Sequence, residues 1–580
     1  MRRSTRLIAL AMLSSLALVA AACGGDDDDG ETADTTAAAP ATTAEAATTT
    51  AGGTDTTAAP AGDLLAYDES EQCGTEGYSG NLAGIEATSA TEVVFTLCSP
   101  DVAFPSKVAF SALQIVPQEY LESTGGTGDL IDKPIGTGPY KLEAWERGNQ
   151  IVLTANEDYW GDAPLAKTVV FRWSTEPAQR LVELESGAAD GIDNVGVEDV
   201  EKVRGNSDLQ LIERDPLNVF YVGFNRDKAP FDNELVRQAV GYAIDRDRIV
   251  ENFYGPGSIA ATQFLPPDIF GYTEGFQDFT YDPEKAKELL AEAGLADGFE
   301  TALSLRDVSR GYLSQAVPVA TDIQAQLAEV GIKINIDVQE STTFLDNADA
   351  GNLGLHMLGW GADYPDATNF LDFHFGQGAS PQFGAGFEEI WALLSEAAST
   401  ADADTRQELY NQANELIAAN APMIPIAHGG SAVAYKADVQ GAHASPLGNE
   451  ALAVMGIEGQ DQFVWVQNGE PGGLWCADET DGEALRVCEQ IGEALLAYEI
   501  GGTEVIPSLA TEFSANDDGT VWTFTLREGV TFHDGSAFDA NDVVATWRAQ
   551  WDAADPAHVG RTGDFTYFSA FFNGFLNAEG

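Results

Sequence analysis

The chain has 580 residues, with 29 Lys and Arg against 92 Asp and Glu, a formal net charge of −63, and it is 44% hydrophobic and 9% aromatic. That is the composition of a globular protein with room for several cores of about 150 residues each. So large an acidic excess excludes the clustered Lys and Arg that a nucleic-acid partner or an anionic lipid surface would require.

At the start, Met1–Arg6 is basic, Leu7–Val19 is apolar apart from Ser14 and Ser15, and Ala20-Ala21-Ala22 lead into Cys23. The pattern predicts a secretory signal over residues 1–22, too short in its apolar run to span a bilayer comfortably. Cys23 after three alanines resembles the lipobox of bacterial lipoproteins, where the thiol receives diacylglycerol; an ordinary signal-peptidase site is the alternative. Residues 23–62 are mostly Asp, Thr, Ala, Gly and Pro, too little apolar surface to offset the entropy of ordering. They read as a disordered tether between a lipid anchor and the body. Cys73, Cys98, Cys476 and Cys488 suggest two disulfides in an exported domain, and proximity favours Cys73–Cys98 and Cys476–Cys488 among three connectivities. No C-x-x-C or neighbouring histidine supports the rival reading, a metal site.

In the body, Asp282 suits a helix N-cap and Pro283 the first helical position, with Ala286, Leu289, Leu290 and Ala293 on one face and Gly294 as the stop. A long helix is predicted from about Val317 to Val330, followed by a strand over 331–336. Thr520–Leu526 alternates with period two, placing Trp522, Phe524 and Leu526 together. Gly529 turns it, Val530-Thr531-Phe532 returns, and Asp539 caps a helix carrying Val543, Val544 and Trp547 inward. Alternating helices and strands give an α/β fold with mixed sheets. The six histidines are scattered, and H-E-x-x-H, G-x-S-x-G and G-x-x-x-x-G-K-[ST] are all absent from the sequence. Gly136-Thr137-Gly138-Pro139 reads as a turn entering a strand. A binder without catalytic residues, metal or cofactor outranks an enzyme.

Five segments then point one way: GTGPYKLEAWERGNQIVLTANEDYWG (136–161), YVGFNRDKAPFDNELVRQAVGYAIDRDRI (221–249), FLPPDIFGY (264–272), GWGADYPDATNFL (359–371) and DGTVWTFTLREGVTFHDGSAFDANDVVATW (518–547). Together they resemble the family 5 solute-binding proteins of ABC transporters, the peptide, dipeptide and nickel class. The order differs from the family's. The FHDG segment and the strand at Phe463–Gln467 belong near the family's mature N-terminus, whereas Val439–Met455 resembles its ending. The resemblance therefore implies a circularly permuted, two-lobed periplasmic-binding-protein-like fold (type II, cluster C-like) with a central ligand cleft. Lobe one would hold 63–250 and 436–580 and lobe two 251–435, with crossings near Gly255-Pro256-Gly257 and Gly429-Gly430-Ser431.

The same resemblance implies a monomeric receptor, lipid-anchored outside the cytoplasmic membrane, that hands a small solute to ABC permease subunits and their ATPases. A peptide is the favoured solute, although relatives hold sugars, nickel complexes and haem in the same cleft. A sensory receptor of this fold and a secreted hydrolase are the alternatives. Asp363 matches the acidic residue that meets a peptide's α-amino group in relatives, with Trp360 and Tyr364 as walls. Arg306 and Arg310 lie where some relatives bind a carboxylate, and the loop from Glu470 to Trp475 resembles a cleft-lining segment.

Overall fold

A computed structural model describes residues 63–578 apart from 76, 307, 309 and 378. The signal segment, the tether and Cys23 lie outside the described residues. Among the described residues no helix is long and apolar enough to cross a membrane.

Lobe two is built on a six-stranded sheet in the order Ile259–Ala260, Met423–His428, Asn218–Phe224, Leu355–Gly361, Phe299–Arg306, Ile332–Gln339. Its central strand shows why the sheet is sandwiched. Phe220, Val222 and Phe224 pack with the helices Glu234–Ala243, Pro283–Glu292 and Ala316–Glu329, while Val219 and Tyr221 pack with Ala367–Phe375, Glu388–Ala398 and Ala403–Asn420. Period-two alternation thus feeds two cores from one strand. Asp282 caps its helix by accepting from the Lys285 N–H, with Pro283 in the first turn.

Lobe one has a five-stranded sheet, Ala66–Asp68, Leu82–Ser89, Glu92–Leu97, Val521–Leu526, Ala510–Ala515, and a seven-stranded sheet. In the seven-stranded sheet Gln462–Gln467 lies between Thr168–Trp173 and Gly191–Ile192, parallel to both. Val521–Leu526 pairs antiparallel with Glu92–Leu97, with Trp522, Phe524 and Leu526 buried. The C-terminal strands therefore complete two sheets whose other strands come from residues 66–97 and 140–436. Asp539 caps Ala540–Trp551 through a capping box with Asp542. The return after Gly529 is no strand; it makes a single bridge, Thr531 to Ala537. Both disulfides, Cys73–Cys98 and Cys476–Cys488, are formed.

The division between lobes differs from the sequence expectation at one end. The first crossing is at 215–217, between the strands Leu209–Arg214 and Asn218–Phe224, so residues 218–250 belong to lobe two rather than lobe one. Asn218–Phe224 is buried on both faces between two lobe-two strands, and that burial fixes its membership. The chain passes back at Gly429-Gly430, between Met423–His428 of the six-stranded sheet and Ser431–Lys436 of the seven-stranded one. Gly255-Pro256-Gly257 does not cross; it packs against the return, where a Cβ on Gly430 would lie 2.4 Å from the Pro256 carbonyl oxygen. The Asn218 side chain ties the two crossings, donating to the Gly429 carbonyl (2.7 Å) and accepting from the Gly429 N–H (2.8 Å).

Beside the crossings, lobe one buries four charges as a network. Arg214 meets Asp193 at 3.0 Å and also pairs with Glu450, while Arg486 meets Glu450 at 2.9 Å and Asp193 at 3.2 Å. Although burial opposes ionisation, the two guanidiniums hold the Glu450 carboxyl down to about 2.

Candidate functional site

The turn 362–366 joins the strand Leu355–Gly361 to the helix Ala367–Phe375 and carries Asp363 to the junction of the lobes. Asp366 stiffens it. Its carboxylate accepts from the Thr368 N–H as the helix N-cap and is gripped by both terminal nitrogens of Arg406 at 2.7 and 2.8 Å. One turn into the helix, Asn369 organises the site. Its amide donates to Asp363 Oδ2 (2.9 Å), and its oxygen accepts from the Asp363 N–H (2.9 Å) and from Trp360 Nε1 (3.2 Å). Phe373, 44% exposed, stacks on Trp360 with ring centroids 4.2 Å apart. A carboxylate and an aromatic shelf are thereby held in one frame.

Lobe one supplies the opposite wall from the helix Thr566–Phe572. The Tyr567 hydroxyl hydrogen-bonds the Asp363 carboxylate. Burial pushes the Asp363 pKa up to about 6, against the pull of the Asn369 and Tyr567 hydrogen bonds. Both of those partners are neutral. Tyr364 is also at the junction but walls no open space: it is 4% exposed, its ring on Phe571 (4.9 Å), its hydroxyl 3.1 Å from that of Thr368. The Lys107 ammonium, paired with Asp101 at 2.6 Å, lies 5.6 Å from the Tyr364 ring centre.

Tyr567 is held by an anchor remote in sequence. The Asp478 carboxylate accepts from four consecutive backbone N–H groups, those of Thr562 to Phe565, and from the Thr562 hydroxyl at 2.7 Å. These donors lower its pKa despite burial. Glu479 takes the Arg561 guanidinium in two bonds, 2.6 and 2.7 Å. Cys476, bridged to Cys488, precedes this pair by two residues, so the disulfide, the carboxylate anchor and the helix form one continuous support.

Of the residues expected from sequence, Asp363, Trp360 and Tyr364 come together and the others do not. Arg306 donates to Ser341 Oγ (3.2 Å) and to the Tyr312 hydroxyl (2.6 Å). Arg310 belongs to a bridge with Leu313 near the return crossing, where a Cβ on Gly429 would lie 2.8 Å from the Gly311 carbonyl oxygen. Glu470 is consumed in lobe one, accepting from Trp145 Nε1 (3.1 Å) and the Gly148 N–H (3.1 Å), which locks its loop onto the hairpin of Tyr140–Glu146 and Gln150–Ala155. Trp475 is buried against Phe565 (5.4 Å) behind the Tyr567 helix and serves it as packing. The sequence reading missed Asn369, Tyr567 and Asp478. Asn369 sits inside the GWGADYPDATNFL segment, six residues after Asp363, where an i,i+6 amide–carboxylate pair across a helix start could have been suspected. Nothing local marks Tyr567 or Asp478.

The model of the bacterial extracellular solute-binding proteins, family 5, matches residues 32–382 and 504–566. The chain is 34% identical over 386 residues to heme-binding protein A of Haemophilus influenzae, covering 65% of this chain and 70% of that protein. It is 32% identical over 386 residues to the dipeptide-binding protein of Escherichia coli, covering 65% and 72%. Among solved structures it resembles HbpA2 from Haemophilus parasuis (TM-score 0.59, 32% identity, 65% of this chain and 76% of that one). DppA from Helicobacter pylori, in complex with the peptide STSA, gives a TM-score of 0.53 at 30% identity over 63% and 72%. A family model that spans more than half of the sequence, relatives above 30% identity and a matching fold agree: the chain belongs to the bacterial extracellular solute-binding proteins of family 5.

Proposed function

We propose that the protein captures a peptide with a free amino terminus between its lobes and delivers it to an ABC importer. The family consists of transporter-associated receptors and not of enzymes. The observation that carries the peptide reading is Asp363: a carboxylate at the lobe junction, desolvated enough to titrate near 6, with only neutral partners. An ammonium entering there would supply the missing charge through a charge-assisted hydrogen bond, and it would do so only when the lobes are together. Relatives named for dipeptide binding support the same solute class. Calorimetry with a free and an N-acetylated dipeptide tests it. The free peptide should bind far more tightly, and equal affinities would end the peptide reading.

We further propose that Cys23 is lipidated and anchors the receptor outside the membrane. Cys23→Ala should then move the protein from the membrane to the soluble fraction, whereas wild-type protein found unlipidated by mass would refute it. The chain order reads as a circular permutation. Support comes from two separated matches to one family model and from C-terminal strands that pair with Glu92–Leu97 in one sheet and Thr168–Trp173 in the other. A chain re-ordered to place 461–580 ahead of 63–460 should unfold cooperatively and keep ligand affinity; failure to do either would remove the permutation reading.

A further inference from the structure

Behind Tyr498 lies a second, half-buried carboxylate that the cleft described so far does not use. A cavity of about 70 Å³ is lined by His443, Ser445, Asn449, Glu489, Tyr498 and Glu499 among others, room for a few waters or the tip of one side chain. Its polar walls are mostly committed. His443 faces the Gly441 carbonyl through Nδ1 (2.9 Å) and accepts from the Ala451 N–H at Nε2 (3.1 Å), and Asn449 accepts from the Ser445 hydroxyl (2.9 Å). Asn449 Nδ2 in turn donates to Glu489 Oε1 at 2.7 Å. That donor is neutral, and the neighbouring acids, Glu493 and Glu499, the latter also lining the cavity, are of the same sign. Glu489 is therefore a half-buried acid with no opposite charge on it, at the edge of a polar cavity, which is an unfavourable arrangement in a folded chain.

Tyr498 and Phe110 link this cavity to the Asp363 site. Tyr498 lines it and also feels the charge of Asp363 and Asp366, with its hydroxyl fixed on the Ser106 carbonyl at 2.6 Å. Phe110, next to Ser111, packs its ring 4.6 Å from that of Tyr567, which bonds Asp363. Leu447, in the loop carrying Ser445 and Asn449, packs on the lobe-two core, so the cavity wall reaches the lobe junction. Two acids thus flank Tyr498, one from each lobe.

We infer that the cavity is a subsite for a cationic group of the bound solute, the ammonium or guanidinium of a lysine or arginine side chain, with Glu489 as its acceptor. The inference rests on the peptide reading of the cleft and narrows it to basic peptides. Burial pushes the Glu489 pKa up to about 7, and an incoming cation would draw the carboxyl back to its charged form.

The test compares Lys-Ala and Ala-Lys with their norleucine counterparts, which keep the side-chain length and drop the charge. At pH 8 the wild type should prefer the better lysyl dipeptide over its norleucine partner by roughly tenfold or more. In Glu489→Gln the preference should shrink to about twofold or less while norleucine-peptide affinity holds. Equal affinities of lysyl and norleucyl peptides for the wild type, a result that needs no variant, would overturn the subsite. So would an undiminished preference in Glu489→Gln. If none of the four dipeptides binds, the peptide reading falls, and cadaverine judges the subsite separately. Weaker cadaverine binding by Glu489→Gln sustains it, and no cadaverine binding by either protein refutes it.

Discussion

At the crossings between the lobes, Arg214 and Arg486 meet Asp193 and Glu450, so that each buried charge has two opposite charges against it. At the junction around Asp363, the half-buried acids Asp363 and Glu489 are met by the neutral amides of Asn369 and Asn449. The network is buried more deeply than these two acids, and it carries its own counter-charges. Continuum physics makes the first arrangement roughly neutral for stability but costly to break, and the second an unfavourable state that an added cation relieves. The difference separates what holds the lobes' geometry from what waits for a ligand.

The comparison breaks most sharply at Arg486. Arg486→Met removes one guanidinium and leaves Glu450 and Asp193 sharing Arg214. Breaking a buried pair in this way costs about 3–5 kcal/mol of unfolding free energy. Denaturant titration should show the loss, and ligand affinity of the folded fraction should stay within about twofold. An undiminished stability would mean that the network is ornamental.

Asp363→Asn should behave in the opposite way. The shape is kept and the charge removed, leaving a ligand ammonium facing a neutral amide, at a cost of about 2–5 kcal/mol in binding, or roughly 30- to 5,000-fold in affinity. Stability should hold or rise, because the lost group was an acid without a counter-charge. A destabilised variant with normal affinity would reverse the roles assigned to the two regions.

The same carboxylate sets a smaller effect through pH. With its pKa raised to about 6 in the unliganded protein, Asp363 is charged and ready for an ammonium above that pH. Below it, protonation competes with the ligand, and affinity should fall roughly tenfold per pH unit until the bound-state pKa is reached. Calorimetry between pH 4.5 and 8 measures the slope. A flat profile in the wild type would place the ammonium elsewhere.

How much of this was readable beforehand differs by region. Asp282 with Pro283, the alternation of Thr520–Leu526 and the Asp539 cap are local signals, and the structure carries them nearly to the residue. Family resemblance in the 359–371 segment brought Asp363 and Trp360 together, because one short turn and helix hold both. It failed for Glu470 and Trp475, whose side chains are spent on Trp145, Gly148 and Phe565, partners chosen by tertiary packing. The first crossing escaped notice because Asp215-Pro216-Leu217 is too short to look like a boundary, whereas the glycines at 255 and 257 merely pack beside one. Tyr567 is positioned through Asp478 and a disulfide, and such a relation has no linear signature.

The finest test of the comparison is Asp372, an acid at the junction that is neither paired nor open to ligand. One of its oxygens, Oδ2, is buried without a hydrogen-bond partner. Burial first, and then Asp366, push its pKa up to about 8, while Lys107 and Arg406 pull it down and Asp101 adds to the rise. An acid raised this far above its ordinary 3.8 binds its proton more tightly in the folded chain than in the unfolded one. Folded-state stability should therefore be fullest below about pH 4 as far as this group is concerned, and fall as pH climbs through 8. Asp372→Asn mimics the protonated form at every pH. It should match the wild type at and below about pH 4 and exceed it by a margin that grows between pH 4 and 8 and levels off above 8. Because Lys107 and Asp101 come from lobe one and Asp366 and Arg406 from lobe two, the gain should be largest with ligand bound and the lobes together. Denaturation at pH 5 and 9, with and without a dipeptide, separates the outcomes. Parallel curves for the two proteins at both pH values would show that Asp372 keeps its charge without cost, and that uncompensated burial at this junction is confined to Asp363 and Glu489.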